Sequence, residues 1–375
     1  VRKLFGGKPG DKPEAYYALI LLDGDKMGAW ISGTDEDKLL KTRDTFHPQI
    51  RERMKAHFTH PEHLAYLGAE RAVSPSRHMA ISSALNSFAL TLAQDIVENR
   101  CKGKLLYAGG DDVMALVAVD DLLACLTLLR AAYGGLSLHD KDDPKAPGPL
   151  ARSLQLDLDG LKLGGGHALL DGRLLRLMGE YATASAGAVI AHHSAPLGAV
   201  LRRLREAEKR AKSKGRRDAF AITLMKRGGG ATELTLPWRL DEPKEGQKPT
   251  LEDSPMQLLA ELCSTFARDT SRKAAYLTQG WMPHLPNQME GEALGQLLAA
   301  SLAYQLSRQS GGDPIAKAQA PALAGKLATL ALHPRLVNTD SGITPDQVIT
   351  DVLAVAEFLA RESRAPKNAP TAQEH

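Results

Sequence analysis

The chain of 375 residues has few of the features that would place it outside ordinary globular proteins. It has only three cysteines, Cys101, Cys125 and Cys263, which are too few and too far apart for a disulfide framework or a Cys-x-x-Cys zinc site. No apolar run approaches the roughly 18 residues that a membrane-spanning helix needs. The first ten residues also lack the apolar segment of a secretory signal. We therefore expect a reduced, cytoplasmic protein with no membrane contact.

A large excess of charge of one sign is also absent. The chain has 47 Lys and Arg against 44 Asp and Glu, a net charge of +3, and 43% of its residues are hydrophobic. This balance argues against a polybasic tail or an acidic solvating protein and favours packed cores. At about 150 residues per domain, the length suggests two or three domains. Since the first residue is Val rather than Met, we expect the chain to be a fragment or one chain of something larger.

The first part of the chain has the pattern of an α+β domain. An apolar strand over residues 16–22 ends in Asp-Gly-Asp, and a long helix follows with apolar positions between residues 81 and 96. Two apolar runs then flank Gly-Gly-Asp-Asp at 109–112, which predicts a β-hairpin. The remaining predicted elements are a helix at 121–133, a strand at 185–193, a helix at 195–214 and a strand at 219–224. This order predicts a ferredoxin-like sheet with an addition at its end.

The second part of the chain has only helical patterns. Beyond Leu251 the apolar spacing predicts four helices, at residues 256–277, 292–309, 315–332 and 345–362. A small all-α bundle is the simplest packing for them. We therefore divide the chain into an α+β domain over residues 1–240 and a helical domain over 241–375, of which residues 363–375 are expected to form a frayed tail.

Four carboxylates fall on elements that this fold would bring together. Asp23 and Asp25 follow the first strand, and Asp111 and Asp112 lie in the hairpin beside it. Unpaired carboxylates that converge in a partly buried place are costly, and a bound divalent cation would compensate them. Carboxylate oxygens suit Mg²⁺ or Mn²⁺. Taken alone, the hairpin sequence is more often a solvated turn, so only the combination of both motifs points to catalysis of nucleotidyl transfer.

Five segments carry a resemblance to a known family. They are LILLDGDKMGAW, PSRHMAISSALNSFA, LLYAGGDDVMAL, SAGAVIAHHSAPLGAVL and EKRAKSKGRRDAFAI. Together they resemble the large subunit of type III CRISPR effector complexes of the Cmr subtype, over roughly residues 15–227. The family's palm domain is similar to nucleotide cyclase and polymerase palms. The fold that the resemblance implies is a ferredoxin-like palm followed by an all-α helical domain.

The resemblance also implies a function. It implies synthesis of cyclic oligoadenylates from ATP, triggered when the guide RNA of the assembled complex pairs with target RNA. The implied partners are therefore the other subunits of the complex, guide RNA and target RNA, with Mg²⁺ or Mn²⁺ as cofactor.

The resemblance assigns roles to particular residues. The implied catalytic residues are Asp23, Asp111 and Asp112, and the implied metal ligands are these three with Asp25. The implied nucleotide-binding residues are Gly24, Asp25, Ser82, Ser83, Asn86, Gly109, Gly110, Lys209 and Lys212. An exposed helix face is the competing interpretation of the two serines and the asparagine.

The stretch from Leu201 to Arg217 is strongly basic. It contains nine Lys and Arg against two Glu, a net charge of +7, so the rest of the chain is net acidic. Helical spacing puts Arg205, Lys209 and Lys212 close together beside an apolar stripe. The family resemblance implies that Lys212 binds phosphate, whereas a solvated helix face with extended side chains is the alternative.

Two rival interpretations stay open. The family's large subunit also carries a nuclease domain, a first palm and a zinc element, and the five motifs match only its C-terminal half. The chain could therefore act as a nucleotide-binding or structural scaffold without independent catalysis. A cyclase for another nucleotide, such as a diguanylate cyclase, is a third possibility.

Overall fold

The computed structural model describes residues 15–33, 41–71, 73–243, 247–285, 291–338 and 342–362. These residues form nine strands: β1 Tyr16–Gly24, β2 Gly103–Gly109, β3 Asp112–Val117, β4 Leu161–Gly164, β5 His167–Leu170, β6 Arg173–Arg176, β7 Ala184–His192, β8 Ala219–Met225 and β9 Ala231–Pro237. The helices are α1 Met27–Ser32, α2 Pro48–His57, α3 Pro61–Gly68, α4 Pro75–Ser87, α5 Leu122–Gly134, α6 Pro149–Ser153, α7 Leu197–Lys212, α8 Pro255–Arg268, α9 Lys273–Trp281, α10 Gly291–Gln309, α11 Pro314–Ala331 and α12 Pro345–Glu362.

Six strands form the main sheet, in the order β2-β3-β1-β7-β8-β9. Strand β1 lies in its middle and pairs antiparallel with both β3 and β7, while β7 and β8 run parallel. The first four strands in this order have the ferredoxin-like arrangement that the sequence predicts, with β8 and β9 added beyond β7. The α+β class is therefore confirmed.

The alternation of side chains along β1 divides the core between the two faces of the sheet. Ala18, Ile20 and Leu22 are buried in a large apolar cluster with residues of α5 and of the helix that begins at α4. Leu19 points to the opposite face and packs with Val200 and Leu204 of α7. Because both faces are covered, the strand has the continuous apolar sequence typical of a central strand.

The helix that begins at α4 is not regular along its whole length. After Ser87 it continues through two π-helical stretches, Phe88–Leu92 and Asp95–Arg100. Phe88, Leu92 and Ile96 are nevertheless fully buried, so the apolar stripe read from the sequence is the face that packs on the sheet. Local π-helical turns are often found near functional sites.

The Leu- and Gly-rich segment between residues 150 and 180, whose structure the sequence does not predict, forms α6 and a separate antiparallel sheet. This small sheet has the order β4-β5-β6. Its inward side chains, Leu163, Ala168 and Leu175, are buried and stand opposite one another in register. Glycines with positive φ, such as Gly165 and Gly172, make the tight turns between its strands.

Two expectations for the second half are wrong. The helix predicted at 256–277 is divided into α8 and α9, because the chain turns where Thr270 and Ser271 bond to the end of α10 through Ser310 and Gln309. The sequence also predicts that the glycines at 228–230 and the polar segment at 241–250 close the α+β domain, but the glycines do not end the sheet. They form a hairpin turn, after which β9 pairs with β8 over its whole length.

The helices after β9 share one apolar cluster with the main sheet. Leu259 of α8, Leu327 of α11 and Val352 of α12 belong to the same cluster as the buried residues of β1. The domain boundary at residue 240 stays a prediction. The expected tail at 363–375 lies outside the described residues, as do residues 37–40 of a further helical pattern that the sequence indicates around residues 37–58. Among the described helices, none is long and apolar enough to cross a membrane.

Candidate active site

The hairpin between β2 and β3 is a two-residue turn. Gly109 pairs with Asp112, so Gly110 and Asp111 occupy the turn itself. Gly110 has a φ of 66°, and Asp111 is not among the residues with positive φ. This is the pattern of a type II′ turn, in which glycine takes the first central position. The turn places two neighbouring carboxylates at the tip of the hairpin.

The end of β1 lies directly beside this turn. Leu22 pairs with Val113, so the antiparallel register brings Asp23 level with Asp112 and Gly24 level with Asp111. A Cβ atom added to Gly24 would lie 2.9 Å from the Cβ of Asp111 and even closer to the hydroxyl of Tyr133. The contact is therefore possible only for glycine at this position. The structure thus brings the two predicted acidic motifs together.

The acidic residues repel one another and are partly shielded from water. Burial raises the pKa of Asp111, and the charge of Asp112 raises it further. Burial also raises the pKa of Asp112. The pKa of the buried Tyr133 hydroxyl is raised by burial and by the charge of Asp111, so this group keeps its proton. Raised pKa values in a partly buried group of carboxylates are typical of sites that bind a cation or a substrate.

Helix α7 adds a carboxylate and a cation to the same place. Lys212 forms an ion pair with Asp23, and its Nζ also lies 2.6 Å from Oε1 of Glu208. This Glu208 oxygen is buried, and the Lys212 ammonium group is the charge that it faces. The pKa of Glu208 is raised by burial and by the charges of Asp112 and Asp25. Burial and Arg217 lower the pKa of Lys212, although two carboxylates face it.

Asp25 differs from the other three aspartates because it is almost fully buried and hydrogen-bonded within the protein. Its Oδ1 accepts a hydrogen bond from Oγ of Ser185 at 2.7 Å, and its Oδ2 accepts one from the backbone N–H of Asp218 at 2.9 Å. Each oxygen therefore already has one donor. The role of Asp25 as a metal ligand stays a prediction.

The polar face of α4 lines a cleft of about 740 Å³. Ser82, Ser83 and Asn86 are exposed there, opposite Arg173 and Leu175 of β6. This cleft does not include the four aspartates in its lining. Phe88, in the π-helical stretch that follows α4, makes an edge-to-face contact with Tyr133. The structure therefore places these three residues in a cleft whose lining does not include the four aspartates.

Gly109 and Lys209 complete the set of predicted residues. The ring of Tyr107 covers Gly109, whose added Cβ would lie 2.6 Å from Cζ of that ring. Lys209 is exposed on α7, whereas Lys212, three residues later, reaches Asp23. Tyr133 and Glu208 also lie at this site, and neither is predicted from the sequence. Only the position of Glu208 four residues before Lys212 could have indicated it, since this spacing puts both on one helix face.

The donor chemistry fits a divalent cation. The carboxylates of Asp23, Asp111, Asp112 and Glu208 are hard oxygen donors, and the ammonium group of Lys212 stands between two of them as a positive charge. Within the described ranges, however, no three His, Cys, Asp or Glu side chains are gathered in the arrangement of a formed metal site.

Comparison with known proteins identifies this part of the chain. Residues 16–147 match the family model described as Cas10/Cmr2, second palm domain. Residues 16–147 are thus similar to the Cas10/Cmr2 palm domain. The match begins at β1 and includes the α4 helix and the Gly-Gly-Asp-Asp hairpin, so the resemblance that the motifs indicated is confirmed.

Two curated relatives of the palm domain are Cmr2 proteins. The CRISPR system Cmr subunit Cmr2 of Pyrococcus furiosus is 30% identical over 229 residues, which are 61% of this chain and 20% of that protein. The Cmr2 subunit of Saccharolobus solfataricus is 43% identical over 65 residues, 17% of this chain and 6% of that protein. The chain thus matches a fifth or less of the length of these relatives.

Two solved structures extend the likeness in fold beyond the palm domain. They show the type III-B Cmr-beta complex in the apo state and bound to cognate target RNA, with TM-scores of 0.56 and 0.60. The alignments cover 94% of this chain and 39% and 40% of the matched chains, at 15% and 16% identity. At such identities the likeness concerns the fold alone.

Proposed function

We propose that the chain is part of the large subunit of a type III CRISPR RNA-guided antiviral complex. In that complex, its palm domain makes cyclic oligoadenylates from ATP when target RNA is bound. The match of residues 16–147 to the Cas10/Cmr2 palm supports the family assignment. Among the structural neighbours, the Cmr-beta complex bound to cognate target RNA supports the proposed RNA trigger and the other subunits as partners.

One observation carries the catalytic part of the proposal. The end of β1 and the β2–β3 turn meet at Gly24, which leaves no room for a Cβ, and this contact brings Asp23 level with Asp112. Burial raises the pKa of both hairpin aspartates. Several carboxylates held close together repel one another. A bound cation that carries a phosphate group would compensate this repulsion.

The reaction is a transfer of a nucleotidyl group. The 3′-oxygen of one adenosine nucleotide forms a bond to the α-phosphorus of the next ATP, and the bond from that phosphorus to the β-phosphate oxygen breaks. Pyrophosphate leaves, and the hydroxyl proton passes to water. A last transfer within one chain closes the ring. When bound, Mg²⁺ or Mn²⁺ supplies Lewis-acid stabilisation of the attacking and leaving oxygens.

The protein's own residues hold the reactants. Asp23, Asp111 and Asp112 would hold the cation, with Asp25 beside them. Lys212 would exchange its ion pair with Asp23 for a phosphate of the nucleotide. Gly110, with open space where a Cβ would lie, would let the backbone of the turn approach the nucleotide closely, whereas the ring of Tyr107 covers Gly109. Ser82, Ser83 and Asn86 would contact the ribose and base from the α4 cleft, with Lys209 at the outer edge.

The experiment that tests this function is mass spectrometry of the products of the assembled complex. The complex is incubated with ATP, Mg²⁺ and guide-matched target RNA, in parallel with the Asp111→Ala/Asp112→Ala form. We expect cyclic adenylates only from the intact site. Product from the double variant, or none from an intact, target-bound complex, would contradict the proposal. Incubation with GTP in place of ATP separates it from a diguanylate cyclase.

A second function, that of a nucleotide-binding or structural subunit without catalysis, is favoured by a different observation. The ammonium group of Lys212 already neutralises Asp23, and in the described residues the carboxylates are not gathered as a formed metal site. For this function, we expect the double variant to assemble and to bind target RNA as the wild type does, with neither form making cyclic product.

A further inference from the structure

Asp218 is not used in the proposed reaction, yet it is the centre of a buried charge cluster. Its Oδ1 accepts hydrogen bonds from Nε and Nη2 of Arg130 at 3.0 and 2.7 Å, and its Oδ2 accepts equivalent bonds from Arg239 at the same distances. Arg130 is fully buried. Burial alone would raise the pKa of Asp218, but the two guanidinium groups hold it below its usual value, so the carboxylate is ionised.

The backbone of Asp218 acts directly on Asp25. The Asp218 N–H donates to Oδ2 of Asp25, while Ser185 donates to Oδ1. The backbone N–H of Asp25 in turn donates to the carbonyl of Thr183 at 2.9 Å. Two donors, one on each oxygen, fix the plane of the Asp25 carboxylate. Asp25 lies next to Gly24, the residue in contact with Asp111.

The segment that carries Asp218 is strained. Arg216, Arg217 and Asp218 have φ values of 59°, 61° and 42°, so three consecutive residues other than glycine are left-handed. Each such residue costs about 1–2 kcal/mol relative to an ordinary conformation. Strain of this kind persists only where surrounding contacts hold the backbone in place. It occurs more often at functional sites than elsewhere. The bonds that Arg130 and Arg239 make to Asp218 are such contacts.

The helical region contributes one of the constraints. Arg335 lies between α11 and α12, and its Nη2 donates to the carbonyl of Arg217 at 3.1 Å. The carbonyl of Asp218 accepts from the backbone N–H of Trp238 at 2.8 Å. Residues from α5, from the end of β9 and from the α11–α12 connection thus all hold this segment. The helical region is therefore one of three parts of the fold that contact this segment.

We propose that Asp218 is the positioning residue that orients the Asp25 carboxylate at the acidic site, and that Arg335 makes this orientation depend on the docking of the helical region. The part of this inference that concerns cation binding rests on the proposed function. Asp218 itself would touch neither cation nor substrate. Its effect would pass through one backbone hydrogen bond, from the strained segment to Asp25.

The first test measures the affinity of the full chain for Mn²⁺, by electron paramagnetic resonance of the free ion. We expect Asp218→Asn to raise the dissociation constant about tenfold or more, as outer-shell substitutions at metal sites commonly do. Arg335→Ala should raise it by a smaller factor. Ser185→Ala, which removes the other donor to Asp25, is the second variant in case Asp218→Asn does not fold.

The matched control is Asp313→Ala. Asp313 caps α11, where its Oδ1 accepts from the N–H groups of Ile315 and Ala316, and its loss costs about 1 kcal/mol of stability. Asp313 does not touch the Asp218 cluster. The affinity of the Asp313→Ala chain for Mn²⁺ should therefore equal that of the wild type. A wild-type chain that binds Mn²⁺, with Asp218→Asn and Ser185→Ala of unchanged affinity, would overturn the inference.

A second measurement separates this inference from the proposed function. If the wild-type chain binds no Mn²⁺, the metal site of the proposed function fails, and amide hydrogen exchange then tests the positioning role. We expect the Asp218 N–H to be protected in the wild type and in Asp313→Ala, and to exchange faster in Arg335→Ala. Equal protection in all three forms would show that Arg335 does not hold the segment, and the inference would be lost.

Discussion

At the scale of single residues, Gly24 decides whether the two acidic motifs can meet. It lies between Asp111 and the buried hydroxyl of Tyr133, with no space for a further atom. Gly28, four residues later in α1, has open space around its Cα, with no heavy atom within 4 Å of an added Cβ. The two glycines are therefore a matched pair, of which only one is constrained by packing.

We predict that Gly24→Ala destabilises the protein by about 1–3 kcal/mol, because the added methyl group overpacks a rigid place. It should also weaken Mn²⁺ binding, since the β2–β3 turn must move away from β1. Gly28→Ala should leave Mn²⁺ binding unchanged and keep or slightly increase stability, by up to about 1 kcal/mol in a helix. Denaturant unfolding and Mn²⁺ titration check both. Equal behaviour of the two variants would contradict the role of Gly24.

At the scale of elements, α7 links the main sheet to the acidic site. It packs so closely on β7 that a Cβ on Gly187 would lie 2.8 Å from Cα of Glu208. This contact fixes the height of the helix over the sheet and so places Glu208 and Lys212 beside Asp23. The exposed face of the same helix carries Arg202 and Lys209.

We predict that Lys212→Met lowers the turnover of the assembled complex by about 100-fold, the size of effect seen when one preorganised donor to a developing negative charge is removed. Arg202→Met removes one positive charge from the exposed face of the same helix and should keep the wild-type rate. Cyclic product is quantified by mass spectrometry at saturating ATP. A rate equal to that of Arg202→Met would exclude Lys212 from the reaction.

At the scale of the whole molecule, the helical region and the palm domain are held together by a common apolar core and by charged contacts. Helix α12 packs on β9, and Asp351 of α12 lies near Glu233 of β9 and Arg210 of α7. Burial and the charge of Glu233 raise the pKa of Asp351 to about 6. At neutral pH the ionised Asp351 carboxylate therefore destabilises the contact between α12 and β9.

We predict that Asp351→Asn stabilises the folded chain above pH 6. Because the pKa of Asp351 is about 6 in the folded state and 3.8 ordinarily, the folded protein holds this proton more tightly. The wild type should therefore lose stability as pH rises from about 4 to about 6, by on the order of 1 kcal/mol after solvent screening. The variant should lack this loss.

Urea unfolding at several pH values between 4 and 8 measures this difference. The control is Asp269→Asn, at the exposed residue that ends α8, which is not among the charged groups that act on Asp351 and should keep the pH dependence of the wild type. A variant of Asp351 that is no more stable than the wild type at pH 7 would contradict the buried, charged description of this junction.

The sequence by itself determined the palm's element order and its acidic motifs. The run from Tyr16 to Leu22 predicts a doubly covered strand, and Gly-Gly-Asp-Asp between two apolar runs predicts the hairpin, because both depend on neighbouring residues alone. From these elements the ferredoxin-like pattern follows, and with it the meeting of Asp23 with the hairpin. Strand β9 and the β4–β6 sheet were not predicted, since their pairing depends on partners elsewhere in the chain.

Only the tertiary structure decided what surrounds the acidic motifs. It shows that Asp25 is buried and bonded to Ser185 and Asp218, that Tyr133 and Glu208 belong to the site, and that Lys212 rather than Lys209 reaches Asp23. These contacts join residues up to 193 positions apart in the chain. No local pattern encodes them. They depend on how the helices pack against the sheet and on which charged side chains become buried and so need a partner.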